Sequence, residues 1–186
     1  EILSSTLIFN ILKHQDCNVT RKDATELLFT HTVNDREVVN HELSAEKTTA
    51  FLEETKNDIL LVPGFVAQDE EGNTTTLGRG GSDYTASLLA NYVHAPVLEI
   101  WTDVSGMFTA NPKLVSQAQP VEKLSYHEAM ELSHFGAKVI YPPTLQPLIE
   151  KKIPVVIKNT FNASAKGTRI DQDGAIQKEG ATVKGV

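Results

Sequence analysis

The chain contains 186 residues, of which 40% are hydrophobic and 22% are charged, a composition typical of folded globular proteins and not of disordered ones. The 17 lysines and arginines against 24 acidic residues give a net charge of −7, which disfavours nonspecific nucleic-acid binding and means that an anionic ligand needs a local basic site. No apolar run approaches the roughly 18 residues of a membrane span, and one cysteine, Cys17, excludes an intrachain disulfide. We therefore expect a cytoplasmic protein without membrane or nucleic-acid partners.

The first half of the chain predicts helices and strands in alternation. Leu3, Leu7 and Ile11 fall at helical spacing, which predicts a mostly buried helix already under way at residue 1. Residues 21–43 are polar and predict a short strand or two with loops. Ser44 is predicted to cap a helix through EKTTAFLEET. The run DILLVPGFVAQ then predicts a fully buried strand that ends at its Pro-Gly pair.

The second half continues the alternation. FVAQDEEGNTTTLG predicts two short strands around a turn, SDYTASLLANYV a helix, and PVLEIW and IPVVIKN two buried strands. Ser125 and Glu128 have the spacing of a capping box that opens a helix, Gly136 is placed to close it, and Pro142 precedes another short helix. Apolar strands alternating with helices indicate an α/β layered fold with a largely parallel sheet.

The strongest local signal is the glycine-rich segment TTTLGRGGSD, which opens directly onto a helix. Gly78, Gly80 and Gly81 let backbone N–H groups converge at a helix N-terminus, a geometry that binds anions. Arg79 could clamp a carboxylate or phosphate, and Asp83 could orient a lysine or a metal. A plain glycine-rich turn with a capping acid explains the spacing equally well. The glycine offsets match neither a P-loop nor a dinucleotide-binding fingerprint, which disfavours a Rossmann dehydrogenase.

A second, weaker cluster follows the predicted strand PVLEIW. Thr102 and Asp103 lie where ligands gather in parallel sheets, at the carboxyl end of a strand, although most such loops are simply turns. Lys138 follows a helix end and could reach a phosphate, but a surface lysine is the commoner explanation. Glu131 and His134 have the spacing of metal-binding helices, yet no partner set is visible, so we expect no metal site.

Four segments together resemble the aspartokinase family, within the amino-acid kinase superfamily. In chain order they are TTTLGRGGSDYTA, IWTDVSGMFTANPK, ELSHFGAKVIYP and IPVVIKNTFN. The resemblance implies a three-layer αβα amino-acid kinase fold with a mainly parallel sheet. It assigns residues 1–170 to the C-terminal portion of a kinase domain, and residues 171–186 to a linker towards ACT regulatory domains that do not follow.

The resemblance also implies an activity: ATP-dependent phosphorylation of L-aspartate to 4-phospho-L-aspartate, the first step towards lysine, threonine, methionine and isoleucine. Mg²⁺ would accompany the nucleotide, and the parent enzyme would be a homo-oligomer, with or without a fused homoserine dehydrogenase. Two alternatives stay open. One is another member of the superfamily, such as acetylglutamate kinase, and the other is a non-catalytic module that binds nucleotide or associates with a partner.

Site residues carried over from the resemblance fall into two groups. On the substrate side, Glu1 would hold the α-amino group, Arg79 would grip a carboxylate, and Asp83 would organise the catalytic lysine. The turn residues beside them are Gly80, Gly81 and Ser82. The nucleotide contacts would be Thr102, Asp103, Phe108, Lys113, Lys138 and Val139. Phe108 replaces a common tyrosine and Lys113 a common arginine, changes that affect nucleotide affinity more than reaction class.

The family's lysine-bearing segment Lys-Phe-Gly-Gly-Thr-Ser has no match in this sequence. Phosphoryl transfer depends on positive groups that neutralise the transferring phosphoryl group. We therefore expect the 186-residue chain to have little or no kinase activity by itself. Because no ACT domain follows, we also expect no feedback inhibition by lysine or threonine.

Overall fold

The computed structural model describes residues 1–56, 58–134 and 139–174. The chain divides into two compact units, Glu1–Val93 and His94–Val186. In unit 1 the elements are α1 (Ile2–His14), β1 (Val19–Arg21), a 3-10 turn (Ala24–Glu26), β2 (Thr30–Val33), β3 (Arg36–Val39), α2 (His41–Glu54), β4 (Ile59–Leu61), β5 (Val66–Gln68), β6 (Thr74–Thr76) and α3 (Gly81–Tyr92).

Unit 1 combines a parallel strand pair with two hairpins. Strands β1 and β4 run parallel, with Val19 opposite Ile59, whereas β2–β3 and β5–β6 are antiparallel hairpins. A core cluster forms where α3 meets these elements, and its buried members are Leu28, Val39, Ala67 and Leu88. Tyr84 and Tyr92 pack against the cluster, which confirms the predicted apolar stripe of the helix SDYTASLLANYV.

Helix α1 forms where the sequence predicts it, but the prediction that it is mostly buried is wrong. It packs against β1, and Arg21 Nε of that strand donates a hydrogen bond to Ser5 Oγ at 3.1 Å. Ser5 is the buried residue of the helix, whereas Leu3 and Leu7 remain 84% and 61% exposed. The helix is apolar on both sides, and the described part of unit 1 covers one of them.

Helix α2 begins earlier than the sequence predicts, because a different residue caps it. The Asn40 side chain accepts a hydrogen bond from the Leu43 N–H at 3.1 Å, so the helix starts at His41. Ser44 is fully buried inside the helix, where its hydroxyl accepts from the Phe29 N–H at 2.9 Å. Asparagine and serine are comparable N-caps. Here Asn40 caps the helix, because the Ser44 hydroxyl is hydrogen-bonded to Phe29.

Two strands predicted to be fully buried, β4 and β7 (Leu98–Thr102), are only partly buried. Leu60 and Leu61 of β4 are half-buried. Ile59 of β4 is exposed. In β7, Ile100 is buried, but Glu99 and Trp101 are exposed and hydrogen-bonded to each other, with Trp101 Nε1 donating at 3.0 Å. Side chains alternate between the two faces of a strand. In β7, therefore, the face that carries Ile100 is covered, and the face that carries Glu99 and Trp101 is exposed.

Unit 2 contains a four-stranded sheet made of β7, β8 (Lys123–Ser125), β9 (Val155–Asn159) and β10 (Thr168–Asp171). The strand order in the sheet is β7–β9–β10–β8. Its β7–β9 and β8–β10 ladders are parallel, and its β9–β10 ladder is antiparallel. The remaining elements are α4 (Tyr126–His134), a 3-10 turn (Pro142–Leu145) and α5 (Gln146–Lys151). Val155, Ile157 and Ile170 are fully buried in this sheet.

The capping box is confirmed at the start of α4. Ser125 Oγ accepts from the Glu128 N–H at 3.2 Å, while Glu128 Oε2 accepts from the Ser125 N–H at 2.7 Å. Thr102 closes β7 at its carboxyl end, as predicted, and the alternation of strands and helices confirms the α/β class. Gly136, the predicted end of α4, and most of the predicted linker (residues 175–186) lie outside the described residues.

Candidate active site

The glycine-rich segment of unit 1 forms a turn that runs from β6 directly into α3. Gly78 and Gly80 have φ angles of +71° and +69°, a region that residues with a Cβ rarely adopt. The Gly81 N–H donates to the Gly78 carbonyl at 3.0 Å, and the Tyr84 N–H donates to the Gly80 carbonyl at 2.9 Å. The predicted turn is confirmed, and it leaves the N-terminus of α3 at the surface beside Arg79, which is exposed.

The Glu1 carboxylate is held between the start of α3 and the segment that joins β4 to β5. Oε2 accepts a hydrogen bond from the Gly64 N–H at 3.0 Å, and Oε1 accepts from the Ser82 hydroxyl. The three groups are closely packed, since a Cβ on Gly64 would lie 3.0 Å from Ser82 Cα and 3.2 Å from Glu1 Oε2. A carboxylate held by two donors is fixed in orientation and keeps lone pairs for a further, cationic partner.

Asp83 adds a second carboxylate in the first turn of α3. Its side chain is partly buried, and that burial, together with the nearby Glu1 carboxylate, raises the pKa of Asp83 above its ordinary value. Two like charges in a partly desolvated place are relieved when a cation binds between or beside them. The structure thus brings Glu1, Ser82 and Asp83 together, as the sequence predicts, next to the turn that carries Arg79.

Three further residues contribute to the structure around Glu1 and the glycine turn, and the sequence did not predict them: Gly64, Phe65 and Thr85. Phe65 has a φ of +80°, a strained conformation for a bulky residue. Its N–H donates to Thr85 Oγ1 at 3.0 Å and its carbonyl accepts from the Leu77 N–H at 2.9 Å. The ring lies over Gly81, where a Cβ would meet Phe65 Cδ2 at 2.8 Å, so no larger residue fits there without displacing the ring.

In unit 2 the candidate nucleotide residues begin where β7 ends. Thr102 donates from its hydroxyl to Asp103 Oδ1 at 3.3 Å, and its carbonyl accepts from the Thr160 N–H at 2.8 Å. Asn159 Nδ2 donates to Ser105 Oγ at 2.9 Å. The loop after β7 is therefore anchored to the loop after β9, and Asp103 remains exposed.

Gly106 and Thr168 fix the middle of that loop. Gly106 has a φ of +111°, and a Cβ there would lie 2.5 Å from Thr168 Oγ1. The buried Thr168 hydroxyl accepts from the Met107 N–H at 2.8 Å and donates to the Val121 carbonyl at 2.6 Å. Thr168 was not predicted as a site residue, because its contribution depends on contacts far apart in the sequence.

The other predicted nucleotide-contact residues are Phe108, Lys113, Lys138 and Val139. Phe108 is partly buried and forms an isolated bridge with Pro120. Lys113 is exposed, and its N–H donates to Asn111 Oδ1 at 3.0 Å. Val139 lies partly buried in a turn, whereas Lys138 lies outside the described residues. Their proposed nucleotide contacts stay predictions.

The described ranges are residues 1–56, 58–134 and 139–174. These ranges hold no group of three or more His, Cys, Asp or Glu residues that could bind a metal ion. His127 Nδ1 lies 3.9 Å from Glu131 Oε1, and both side chains are largely exposed. Nor do these ranges contain a helix of the length and hydropathy needed to cross a bilayer.

Comparison with known proteins gives consistent results. The sequence model of the Amino acid kinase family matches residues 1–159. A bifunctional aspartokinase/homoserine dehydrogenase of Haemophilus influenzae is 52% identical over 131 residues, which cover 70% of this chain and 16% of the relative. Lysine-sensitive aspartokinase 3 of Escherichia coli is 37% identical over 171 residues, covering 91% of this chain and 38% of that protein.

A solved structure supports the same family. The crystal structure of E. coli aspartokinase III in complex with aspartate and ADP superposes with a TM-score of 0.84 and 36% identity, covering 92% of this chain and 39% of the other. This chain therefore spans well under half the length of these relatives. Because the family model covers most of the chain and the fold agrees, the chain belongs to the amino acid kinase family, and within that family its similarity is to aspartokinases.

Proposed function

We propose that this chain forms the aspartate-binding part, and residues of the nucleotide-binding part, of an aspartate kinase that converts L-aspartate and ATP to 4-phospho-L-aspartate and ADP. The observation that carries the proposal is the Glu1 carboxylate, held by the Gly64 N–H and the Ser82 hydroxyl beside a glycine turn that contains Arg79. The similarity to aspartokinases, one of them crystallised with aspartate and ADP, supports it.

L-Aspartate carries one ammonium group and two carboxylates. The candidate site offers an acidic residue for the ammonium group and a basic residue for a carboxylate. Glu1 pairs with the ammonium group, since its oxygens are already oriented by two donors. The Arg79 guanidinium and the N-terminus of α3 favour a carboxylate through charge and N–H groups. An N-acylated amino acid lacks the ammonium group, so this arrangement favours aspartate over acetylglutamate.

Asp83 is the group that responds to a cation at the reaction centre. Its raised pKa results from burial and from Glu1, and a neighbouring ammonium, from substrate or from a catalytic lysine, would lower that pKa and keep Asp83 ionised. The ionised carboxylate would then orient the ammonium group by a charge-assisted hydrogen bond. Positioning of this kind is the main contribution a protein makes to phosphoryl transfer.

The nucleotide, which supplies the γ-phosphoryl group, is assigned to the loop after β7 in unit 2. Thr102 and Asp103 offer hydrogen-bonding groups at the strand end, Phe108 offers a ring for stacking, and Lys113 offers positive charge; Val139 and Lys138 complete the assignment. Mg²⁺ prefers phosphate and a few carboxylate oxygens to an all-protein cage. With no metal-binding cluster among the described residues, it would be held mainly by the phosphates.

The proposal is tested by calorimetric titration of the 186-residue chain with L-aspartate and, separately, with N-acetyl-L-glutamate. We expect aspartate to bind and the acetylated acid not to bind. Glu1→Gln should weaken aspartate binding about tenfold or more, because the ammonium group loses its charged partner. Glu53→Gln, a matched change at an exposed glutamate of α2, should leave it unchanged. Preference for the acetylated acid would indicate the other kinase and contradict the proposal.

Turnover is measured separately, in a coupled ADP-release assay with aspartate, ATP and Mg²⁺. We expect little ADP release from the 186-residue chain, because no lysine-bearing glycine-rich segment was recognised in it. Turnover comparable to that of a complete aspartokinase would show this expectation to be wrong without affecting the binding result. The cytoplasmic location, the biosynthetic pathway, and the assignment of residues 1–170 and 171–186 to a domain portion and a linker also stay predictions.

A further inference from the structure

A surface cavity of unit 1 lies between the β2–β3 hairpin and the glycine-rich turn. Its volume is about 320 Å³, at the lower end of the range for pockets that bind small molecules. Here we call this cavity the hairpin pocket. The residues that define it are Thr30, Glu37 and Val39 of the hairpin, together with Leu77, Gly78 and Tyr84. Glu1, Arg79 and Asp83 do not line it, so it is separate from the proposed aspartate site.

Glu37 supplies the charge of the hairpin pocket. Thr32 lies opposite Glu37 in the β2–β3 ladder, and Thr30 lies two residues earlier on the same face of the hairpin. The Thr32 hydroxyl donates a hydrogen bond to Glu37 Oε1 at 2.8 Å, and the Thr30 hydroxyl donates to Glu37 Oε2. One donor on each oxygen holds the carboxylate in a fixed orientation and leaves lone pairs for a further donor.

The partners of this carboxylate are neutral hydroxyls, whereas other acidic side chains of unit 1 are paired with cations. Asp23, for example, lies 2.6 Å from the Arg21 guanidinium. Among the residues that the structure describes, no lysine, arginine or histidine forms an ion pair with Glu37. The negative charge of Glu37 is therefore available to a cationic ligand.

The walls of the hairpin pocket are largely apolar. Val39 is a buried member of the core cluster, and Leu77 and Tyr84 pack against that cluster, so these three side chains are held in place. Gly78 leaves open space, since nothing lies within 4 Å of its missing Cβ. Burial raises the pKa of Tyr84 above its ordinary value of 10.0, so its hydroxyl stays neutral, and an aromatic ring of this kind attracts cations.

This combination of groups favours one chemical class of ligand. The Glu37 carboxylate repels anions. A metal ion needs several oxygen ligands, and the described part of the chain holds no group of three or more acidic, histidine or cysteine side chains suited to one. A neutral apolar molecule would cover the carboxylate without pairing its charge, which is unfavourable. An organic cation with a short alkyl chain satisfies both the charge and the apolar walls.

We infer that the hairpin pocket is a binding site for a small alkylammonium compound, whose ammonium group donates to Glu37 and whose alkyl chain packs against Leu77 and Tyr84. The inference does not depend on the proposed aspartate site, because the carboxylate used there is that of Glu1, on Gly64 and Ser82. Glu37 is exposed, and exposed ion pairs contribute modestly. The apolar contacts must therefore add to the affinity, which requires an alkyl chain on the ammonium group.

The first test is an NMR titration of the 186-residue chain with n-butylammonium chloride. We expect this cation to bind about fivefold more tightly than n-butanol, since only the cation pairs with Glu37. It should bind about threefold more tightly than ethylammonium, since its longer chain buries more apolar area. Glu37→Gln should weaken its binding about fivefold, and Glu53→Gln, at an exposed glutamate of α2, should leave it unchanged. Equal binding of cation and alcohol, or a titration indifferent to Glu37→Gln, would overturn the inference.

A second test locates the ligand directly and needs no variant. Nuclear Overhauser effects should connect the butyl protons of n-butylammonium with the methyl groups of Val39 and Leu77. Contacts confined to other parts of the chain would contradict the inference. Saturating L-aspartate should not displace the cation, and displacement would assign the cation to the Glu1 carboxylate instead. A chain that binds n-butylammonium in the hairpin pocket but does not bind aspartate would contradict the proposed function alone. Circular dichroism melts confirm that each variant of the first test is folded.

Discussion

At the scale of single residues, the Glu1 carboxylate affects the pKa of Asp83. Burial is the main cause of the raised pKa of Asp83, and the Glu1 carboxylate is the second. We predict that Glu1→Gln lowers the pKa of Asp83 part of the way towards 3.8, its ordinary value, because only the second cause is removed. Carbon-13 NMR titration of the aspartate carboxyl groups measures this, with Glu53→Gln as the control. An unchanged Asp83 titration would show that the two carboxylates do not interact.

The same shift has a consequence for stability. Between its ordinary pKa and its raised pKa, Asp83 binds more protons in the folded state than in the unfolded state, so folding is favoured by protonation. This contribution is present below pH 3.8 and is lost as the pH rises through the raised value. Urea unfolding across that window should show a smaller loss in Glu1→Gln than in the unmodified chain.

Gly64 determines how closely Glu1 and Ser82, in the proposed aspartate site, approach one another. A Cβ at this position would lie 3.0 Å from Ser82 Cα, a backbone atom that cannot move aside cheaply. We predict that Gly64→Ala weakens aspartate binding and lowers the free energy of unfolding by about 1–3 kcal/mol, the usual range for overpacking. Calorimetric titration and urea unfolding measure the two effects.

The control for this change is Gly72→Ala in the β5–β6 turn. Gly72 has a φ of +85°, and nothing lies within 4 Å of its missing Cβ. Alanine there introduces backbone strain of about 1–2 kcal/mol without crowding, so stability falls while aspartate binding is retained. If both variants bind aspartate like the unmodified chain, the close packing of Gly64 has no part in the site.

At the scale of elements, the capping box at the start of α4 is the local feature that the sequence predicts most completely. Ser125 and Glu128 exchange hydrogen bonds through side chain and backbone. We predict that Ser125→Ala lowers the free energy of unfolding by about 1 kcal/mol. Ser133→Ala is the control in the same helix, since its hydroxyl donates only to the Ala129 carbonyl one turn earlier. Equal effects of the two changes in urea unfolding would argue against a special contribution of the cap.

Which features the sequence predicts depends on whether the determining residues are neighbours in the chain. The capping box and the glycine turn involve residues within a few positions of each other, and both were predicted. The cap of α2 was not, because the contact between Ser44 and Phe29 removes a serine that looks suitable locally. The positive φ of Phe65 has no signal in the sequence, since its causes are Thr85, Leu77 and Gly81.

Burial is the property that local patterns predict least well. The apolar spacing of α1 predicts a helix correctly, but it does not reveal what covers each side, and Leu3 and Leu7 are exposed. The same holds for Trp101 on β7, which is exposed although the sequence predicts a buried strand. On the exposed side of that sheet the Lys158 ammonium lies 4.6 Å from the centre of the Trp101 ring, a contact between strands distant in sequence.

At the scale of the whole molecule, the order of four family segments along the chain predicts the fold class and the family, because each segment corresponds to a position in one architecture. The candidate site was predicted in part. Glu1, Ser82 and Asp83 lie together as expected, but Gly64, Phe65 and Thr168 were missed, since their contribution is to hold loops and not to supply recognisable chemistry. Residues of that kind become visible only when the close approaches of backbone to backbone are known.

The net charge of −7 predicts how stability responds to salt. At pH 8 the chain is far from its isoelectric point of about 5.3, and the excess of like charge opposes the compact state. Added salt screens this repulsion, and it also screens ion pairs such as Lys166–Glu122, which are highly exposed and contribute little. We predict that raising the salt concentration from about 0.01 to 0.15 M increases the melting temperature at pH 8, and does so less near pH 5.3. A decrease at pH 8 would mean that attractive ion pairs outweigh the overall repulsion.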